Sequence, residues 1–271
     1  MGNSIFDLDD ILGFKSPFEK WSNSPSPAPY TPIPLDKTPE NKNDKCQANF
    51  DIISEVVFKN EGGIANDRDD KGGFTNRGIS WRTWLAFAKS DLGLEPTIDN
   101  LKNLTKEQAK TIYKKRYWEA KGFCKLNNIN IALMFYDFTI TSGGAFDELY
   151  KLLDIEQGNE KKINDKLADF INEFENQNLV LRSIIDLRLR YYKFLSFKTD
   201  SENQYVFDEN NNKIKTKNYK FLVGWQNRVA NVLSFLNKNN SIPYDIKVDS
   251  KNPELTEIVD KTLPNTKLPL P

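Results

Sequence analysis

Glu61-Gly62-Gly63, followed by Asp70-Lys71-Gly72-Gly73-Phe74-Thr75-Asn76-Arg77-Gly78-Ile79, places one carboxylate at the expected end of a helix and a second on a glycine-rich turn. Two carboxylates held apart by a tight loop are the minimum equipment for cleaving a glycosidic bond. Glu61 suits the acid role, because the negative end of a helix dipole and desolvation by apolar neighbours both favour the protonated form. Asp70, on a glycine turn open to water, suits the ionised role of orienting a water or stabilising positive charge on the sugar. Thr75 is placed to hold that water, and Asp67 is the rival second carboxylate. Gly72, Gly73 and Gly78 let the loop turn sharply and a polymer approach closely.

Other chemistries are excluded by what the chain lacks. It contains no histidine, so Ser-His-Asp and Cys-His sites and imidazole-ligated zinc are ruled out. Two cysteines cannot make a four-cysteine zinc site. No metal and no organic cofactor is expected. The balance of 38 basic and 38 acidic residues argues against a general nucleic-acid binder. No apolar run approaches the ~20 residues of a membrane-spanning helix, so stable membrane insertion is not expected. The N-terminus lacks the basic start and unbroken apolar stretch of a secretory signal, which predicts synthesis in a cytoplasm without classical export. Cys46, in a linker-like stretch, and Cys124, after an expected helix, are read as two free thiols, with a disulfide between them as the alternative.

The elements that must position the loop follow from proline placement and apolar spacing. Seven of 13 prolines precede residue 40, five follow residue 242, and Pro96 alone lies between. Proline cannot continue a helix interior, so both ends read as extended arms around a largely helical body. Residues 1–21 form an apolar arm, with Ile5, Leu8, Ile11 and Leu12 at helical spacing, that docks on its own body or on a partner. Residues 22–48 read as a proline-rich spacer. The body is set at 49–240, its C-terminal helical half starting near 143, and the tail at 241–271. Within the body, Phe50, Ile53, Val56 and Val57 predict a helix stopping near Gly62-Gly63. Thr105 and Gln108 predict a capping box opening a helix through Trp118. Residues 130–141 predict a central buried helix, and 160–176, 179–197 and 222–236 predict three more. A short β-hairpin is expected within 64–80, and a small hairpin or flap within 201–217. Residues 179–240 carry 11 Lys and Arg against 5 Asp and Glu, a net of +6. That excess is either a solvated helix face or a basic wall that attracts an anionic polymer.

Taken jointly, Glu-Gly-Gly and Asp-x-Gly-Gly-x-Thr-Asn-x-Gly-Ile resemble glycoside hydrolase family 108, N-acetylmuramidases of lysozyme-like fold. Four later segments are similar to the family's pattern in the same order. They are Ile112-Tyr113-Lys114-Lys115-Arg116-Tyr117-Trp118; Phe135-Tyr136-Asp137-Phe138 with Ser142-Gly143; Arg188-Leu189-Arg190-Tyr191-Tyr192; and Gly224-Trp225-Gln226-Asn227-Arg228-Val229. The resemblance covers about residues 50–237. It implies a mainly α, lysozyme-like domain with a short β-hairpin near the active site and extended arms at both ends. It implies Glu61 as catalytic acid, with Asp70 and Thr75 assisting, and Asp67, Asn76, Tyr136 and Asp137 as substrate contacts. For Asp137 a buried capping role stands as the alternative. Peptidoglycan glycan strands are the implied substrate. The sequence departs from the pattern at Thr141, where the family usually has Asn, and lacks the family's "DGxxGxxT" element, with Asp154 to Asn159 near its place. The apolar arm and spacer fit docking on a phage tail or other injection particle. A structural tail component with little or no turnover is the alternative.

Overall fold

The computed structural model describes residues 42–60, 74–239 and 242–261. The described chain is mainly helical, with two short antiparallel hairpins. The arm at 1–21 and most of the spacer lie outside these residues.

Helix α1 (Lys42–Asn60) buries Phe50, Ile53, Val56 and Val57 along one stripe, as their spacing predicts. It begins within the stretch assigned to the spacer. Strands β1 (Thr75–Asn76) and β2 (Ile79–Ser80) pair Thr75 with Ser80 and Asn76 with Ile79. The turn between them has φ 50° at Arg77 and φ 73° at Gly78. Positive φ at both central positions is what a two-residue hairpin needs to match strand twist. Gly78 takes that geometry without penalty, and Arg77 is held in it by an Nε–H donated to the Leu104 carbonyl at 2.9 Å.

Helix α2 (Trp81–Leu92) starts on Ser80, whose hydroxyl accepts from the Thr83 amide, and ends on Gly93 in the left-handed conformation. Helix α3 (Ile98–Lys102) is a short link. Helix α4 (Lys106–Ile112) opens with the capping box expected from Thr105 and Gln108 and runs into a π-helical stretch, Tyr113–Glu119.

Helix α5 (Ile129–Thr141) is the centre of the fold, with every residue from Ile129 to Phe138 buried. Around it pack α1, α6 (Ala145–Leu152), α8 (Gln177–Ser196) and α9 (Leu222–Asn239), while α7 (Asp165–Glu173) leans on α8. Trp118, Phe123, Phe135, Tyr136 and Phe146 form an aromatic cluster against the middle of α5. The polar stretch after α8 folds into a small flap through the bridges Phe197–Lys215, Thr199–Tyr205 and Phe207–Lys213. Its turns are closed by the Asp200 and Asp208 carboxylates, which accept from backbone amides two and four residues on.

Two expectations are corrected. The region after 241 is not simply an extended tail: β3 (Tyr244–Lys247) pairs with β4 (Glu257–Asp260) and packs on α9. Ile242 and Tyr244 are buried there, so enough apolar surface is covered to hold the hairpin in place despite its prolines. Cys46 and Cys124 are joined as a disulfide, not free, with Cα atoms 5.0 Å apart. The linker reading of Cys46 concealed this: the residue sits near the start of α1, facing the 3-10 turn Phe123–Lys125, where the Trp118 indole N–H also points at its sulfur.

Candidate active site

The expected site residues separate into three groups. Glu61, Asp67 and Asp70 lie outside the described residues, in the stretch 61–73 that joins α1 to β1. Thr75 is half-buried on β1, at the base of the hairpin. Asn76, Tyr136 and Asp137 are buried, each with structural partners.

The Asn76 amide donates to the carbonyls of Leu101 and Lys102 at 2.9 and 3.0 Å, which ties the hairpin to α3. Tyr136 is fully buried, edge-on to Trp118 and Phe123, and its hydroxyl donates to the Tyr113 carbonyl. Neither presents a group to an open surface. Asn and Tyr in a motif do not announce whether they will face substrate or backbone, and here the backbone carbonyls of α3 and of the π-helical stretch are nearer.

Asp137 is fully buried between two guanidiniums. Arg188 Nη2 donates to Asp137 Oδ2 at 2.6 Å, and Arg228 donates from Nε and Nη2 at 2.8 to 3.1 Å. Arg188 Nε also donates to the Tyr192 hydroxyl at 2.8 Å, which lies 2.9 Å from the Thr141 hydroxyl. Burial by itself opposes the charged carboxylate, but the two arginines outweigh it and hold Asp137 below the ordinary carboxylate range. Of the alternatives for Asp137, this geometry favours a structural role: its carboxylate is occupied and has no exposed surface. Three motifs that sit 51 and 91 residues apart in sequence therefore meet in one network. Its consequence for function is positional, since it locks α9 against α5.

That locked helix forms one wall of a cleft of about 680 Å³. The opposite wall is the last turns of α1, contributing Glu55, Val56, Phe58 and Lys59. Arg77 from the hairpin turn and Lys106 from the start of α4 close the side. From α9 come Asn231, Ser234, Phe235 and Lys238, at i, i+3, i+4 and i+7, so a single helical face is presented. Glu55 is already engaged: its carboxylate accepts from Lys106 at 2.9 Å and lies 3.6 Å from Lys110. The Lys106 hydrogen bond, despite some cost of burial, holds Glu55 below the usual carboxylate range. Lys59 and Lys238 have no ion pair among the described residues. Lys59 and Arg77 stand on either side of 61–73 in the sequence, and both line this cleft.

The sequence reading did not single out Lys59, Lys106, Asn231, Ser234 or Lys238. The one signal was the excess of basic residues after 179, to which Lys238 belongs. Nothing in the spacing of Glu55 and Lys59 sets them apart from the solvated positions of an amphipathic helix.

The helical body, the hairpin beside the cleft and the central buried helix define a mainly α fold of the lysozyme-like class. The comparisons take this to a family. Residues 54–143 match the family model Glycosyl hydrolase 108. The solved structure of Brucella abortus SagA is similar to this chain, with 25% identity and a TM-score of 0.54, over 71% of this chain and 96% of that one. No curated protein shows significant similarity. The matched segment and the shared fold together support assignment to glycoside hydrolase family 108, and the protein is a glycoside hydrolase. The same findings support peptidoglycan hydrolase activity, with the cell wall as its site of action.

Proposed function

We propose that the protein is an N-acetylmuramidase that hydrolyses the β-1,4 bond between N-acetylmuramic acid and N-acetylglucosamine. The observation that carries this reading is the cleft between α1 and α9, lined by Lys59 and Arg77, which stand before and after 61–73 in the sequence. The stretch between them holds Glu61, Asp67 and Asp70, and it falls inside the segment that matches the family model. Glu61 follows directly on the last residue of α1. In the proposed reaction Glu61 gives its proton to the glycosidic oxygen as that bond breaks. Asp70, acting together with Thr75 on the opposite face of the sugar, stabilises positive charge or directs the water that completes hydrolysis. Thr75, at the foot of the hairpin, is tied to β2 through Ser80, which fixes where its hydroxyl begins.

The test is Glu61→Gln, which removes the proton and keeps the shape. The variant is expected to fold and melt like the parent and to release no new reducing ends from purified peptidoglycan. Normal wall degradation by this variant would refute the assignment of the acid. Mass spectrometry of the parent's products gives the second check, because a muramidase leaves N-acetylmuramic acid at the new reducing end.

We further propose that the enzyme is carried by a phage tail or related injection particle. The support is the apolar arm at 1–21 followed by a proline-rich spacer. Deleting residues 1–41 is expected to remove the protein from purified particles while soluble activity is kept; a protein absent from particles in the first place would refute this.

A further inference from the structure

The described lining of the cleft has an unbalanced charge for which the hydrolysis of a glycosidic bond gives no reason. Among the described residues, four cations, Lys59, Arg77, Lys106 and Lys238, line it against one carboxylate, Glu55. That carboxylate is already engaged by Lys106 and Lys110. Lys110 is in turn shared with Asp51. Lys59 and Lys238 come from opposite walls, α1 and α9, and neither has an ion pair among the described residues. Cations gathered in one concave site repel one another at ranges below the ~8 Å screening length of physiological salt. Such an arrangement lowers its energy when an anion enters, and low-dielectric walls focus the attraction. The remaining lining residues suit a sugar polymer: Asn231 and Ser234 offer hydrogen bonds, and Phe58 and Phe235 offer apolar surface.

We propose that Lys59, Arg77, Lys106 and Lys238 form a carboxylate-reading subsite, so that the cleft selects glycan strands carrying free carboxylates over neutral strands of the same backbone. The inference rests on the muramidase reading for the identity of the strand, whose peptide stems supply such carboxylates, as do lactyl groups that carry no stem. It goes beyond that reading because proton donation by Glu61 does not itself require a carboxylate on the strand. α9 is the decisive element. It brings Asn231, Ser234 and Lys238 to the cleft as one face, so the C-terminal half of the body contributes substrate contacts and not only packing.

The experiment uses the full chain and compares purified sacculi with the same sacculi after carbodiimide coupling to glycinamide, which neutralises carboxylates and leaves the glycan intact. Binding is measured by co-sedimentation with Glu61→Gln, and cleavage by release of reducing ends with the parent. Lys59→Gln and Lys238→Gln, both at exposed positions, each weaken binding to native sacculi by about three- to tenfold. Amidation weakens binding of the unsubstituted protein by at least as much. On amidated sacculi the two substitutions make no further difference. Lys166→Gln, the same charge change at a lysine outside the cleft, leaves binding as it was. Equal binding to native and amidated sacculi would overturn the inference, as would an equal loss by Lys238→Gln on both. If the parent cuts no glycosidic bond while binding still follows carboxylates and Lys238, the muramidase reading falls and the subsite stands. If cleavage is normal but indifferent to amidation, the subsite falls alone.

Discussion

Replacing Asp137 by Asn keeps the shape of the side chain and removes the carboxylate between Arg188 and Arg228. In the parent, both side chains of the Arg188–Asp137 pair are fully buried, and Arg228 is 14% exposed. Two positive charges share one negative charge, so the network already carries a net positive charge, and the substitution raises it by one in a site with little water. At ~4 Å between charge centres, each attraction is of order 4 kcal/mol in a medium of effective dielectric 20, set against a desolvation cost of similar size. Removing one partner leaves that cost without the attraction, and measured losses for such breaks are about 3–5 kcal/mol. Spread over a body of this size, that is a fall of roughly 6–20 °C in melting temperature. The assay is thermal and urea unfolding of Asp137→Asn alongside Arg188→Met and the double variant. Contact within one network predicts that the double variant loses much less than the sum of the singles. Unchanged stability with lost cleavage would refute the structural role and return Asp137 to the substrate contacts.

Reducing the Cys46–Cys124 disulfide releases a loop with sequence separation 78, for which chain entropy predicts a loss of about 4.5 kcal/mol. Dithiothreitol is therefore expected to lower the melting temperature of the parent and leave that of a Cys46→Ser, Cys124→Ser variant unchanged; equal melting of parent and variant without reductant would refute the cross-link's contribution. Glu148 on α6 is buried beside Lys151, Asp147 and Arg190, and burial pushes its carboxyl from the ordinary 4.5 up to about 7. Because the folded state holds this proton more tightly than the unfolded chain, the associated stability is fully present below pH ~4.5 and lost as pH rises through ~7, about 3 kcal/mol in all. Glu148→Gln should be the more stable protein at pH 8 and should flatten that part of the pH–stability curve; an identical slope in parent and variant would refute it.

Local signals read well from sequence because their causes are local. The capping box needs only Thr105 and Gln108 three residues apart, and it forms as expected. The hairpin turn needs positive φ beside a glycine, and Arg77-Gly78 supplies it. The central helix was visible as an apolar run, and α5 is buried through ten consecutive residues. The short helices α3 and α6 were not read, since five and eight residues are too few for periodicity to stand out. The strands after 241 were missed because proline content spoke for an arm, while pairing depends on the α9 surface that the hairpin covers.

Among the candidate site residues the division is sharper. The sequence by itself determined the chemistry on offer: no histidine, carboxylates spaced by glycines, a family pattern, and a mainly α body to carry them. Partners were decided by tertiary structure alone. Asp137 finds its arginines 51 and 91 residues away, and Cys46 finds Cys124 across 78. The cleft joins residues 55–59 to residues 231–238. A residue's type and near neighbours set what it can donate, accept or bury. Which group it meets depends on how helices far apart in the chain share one core, and α5 is where that choice was made.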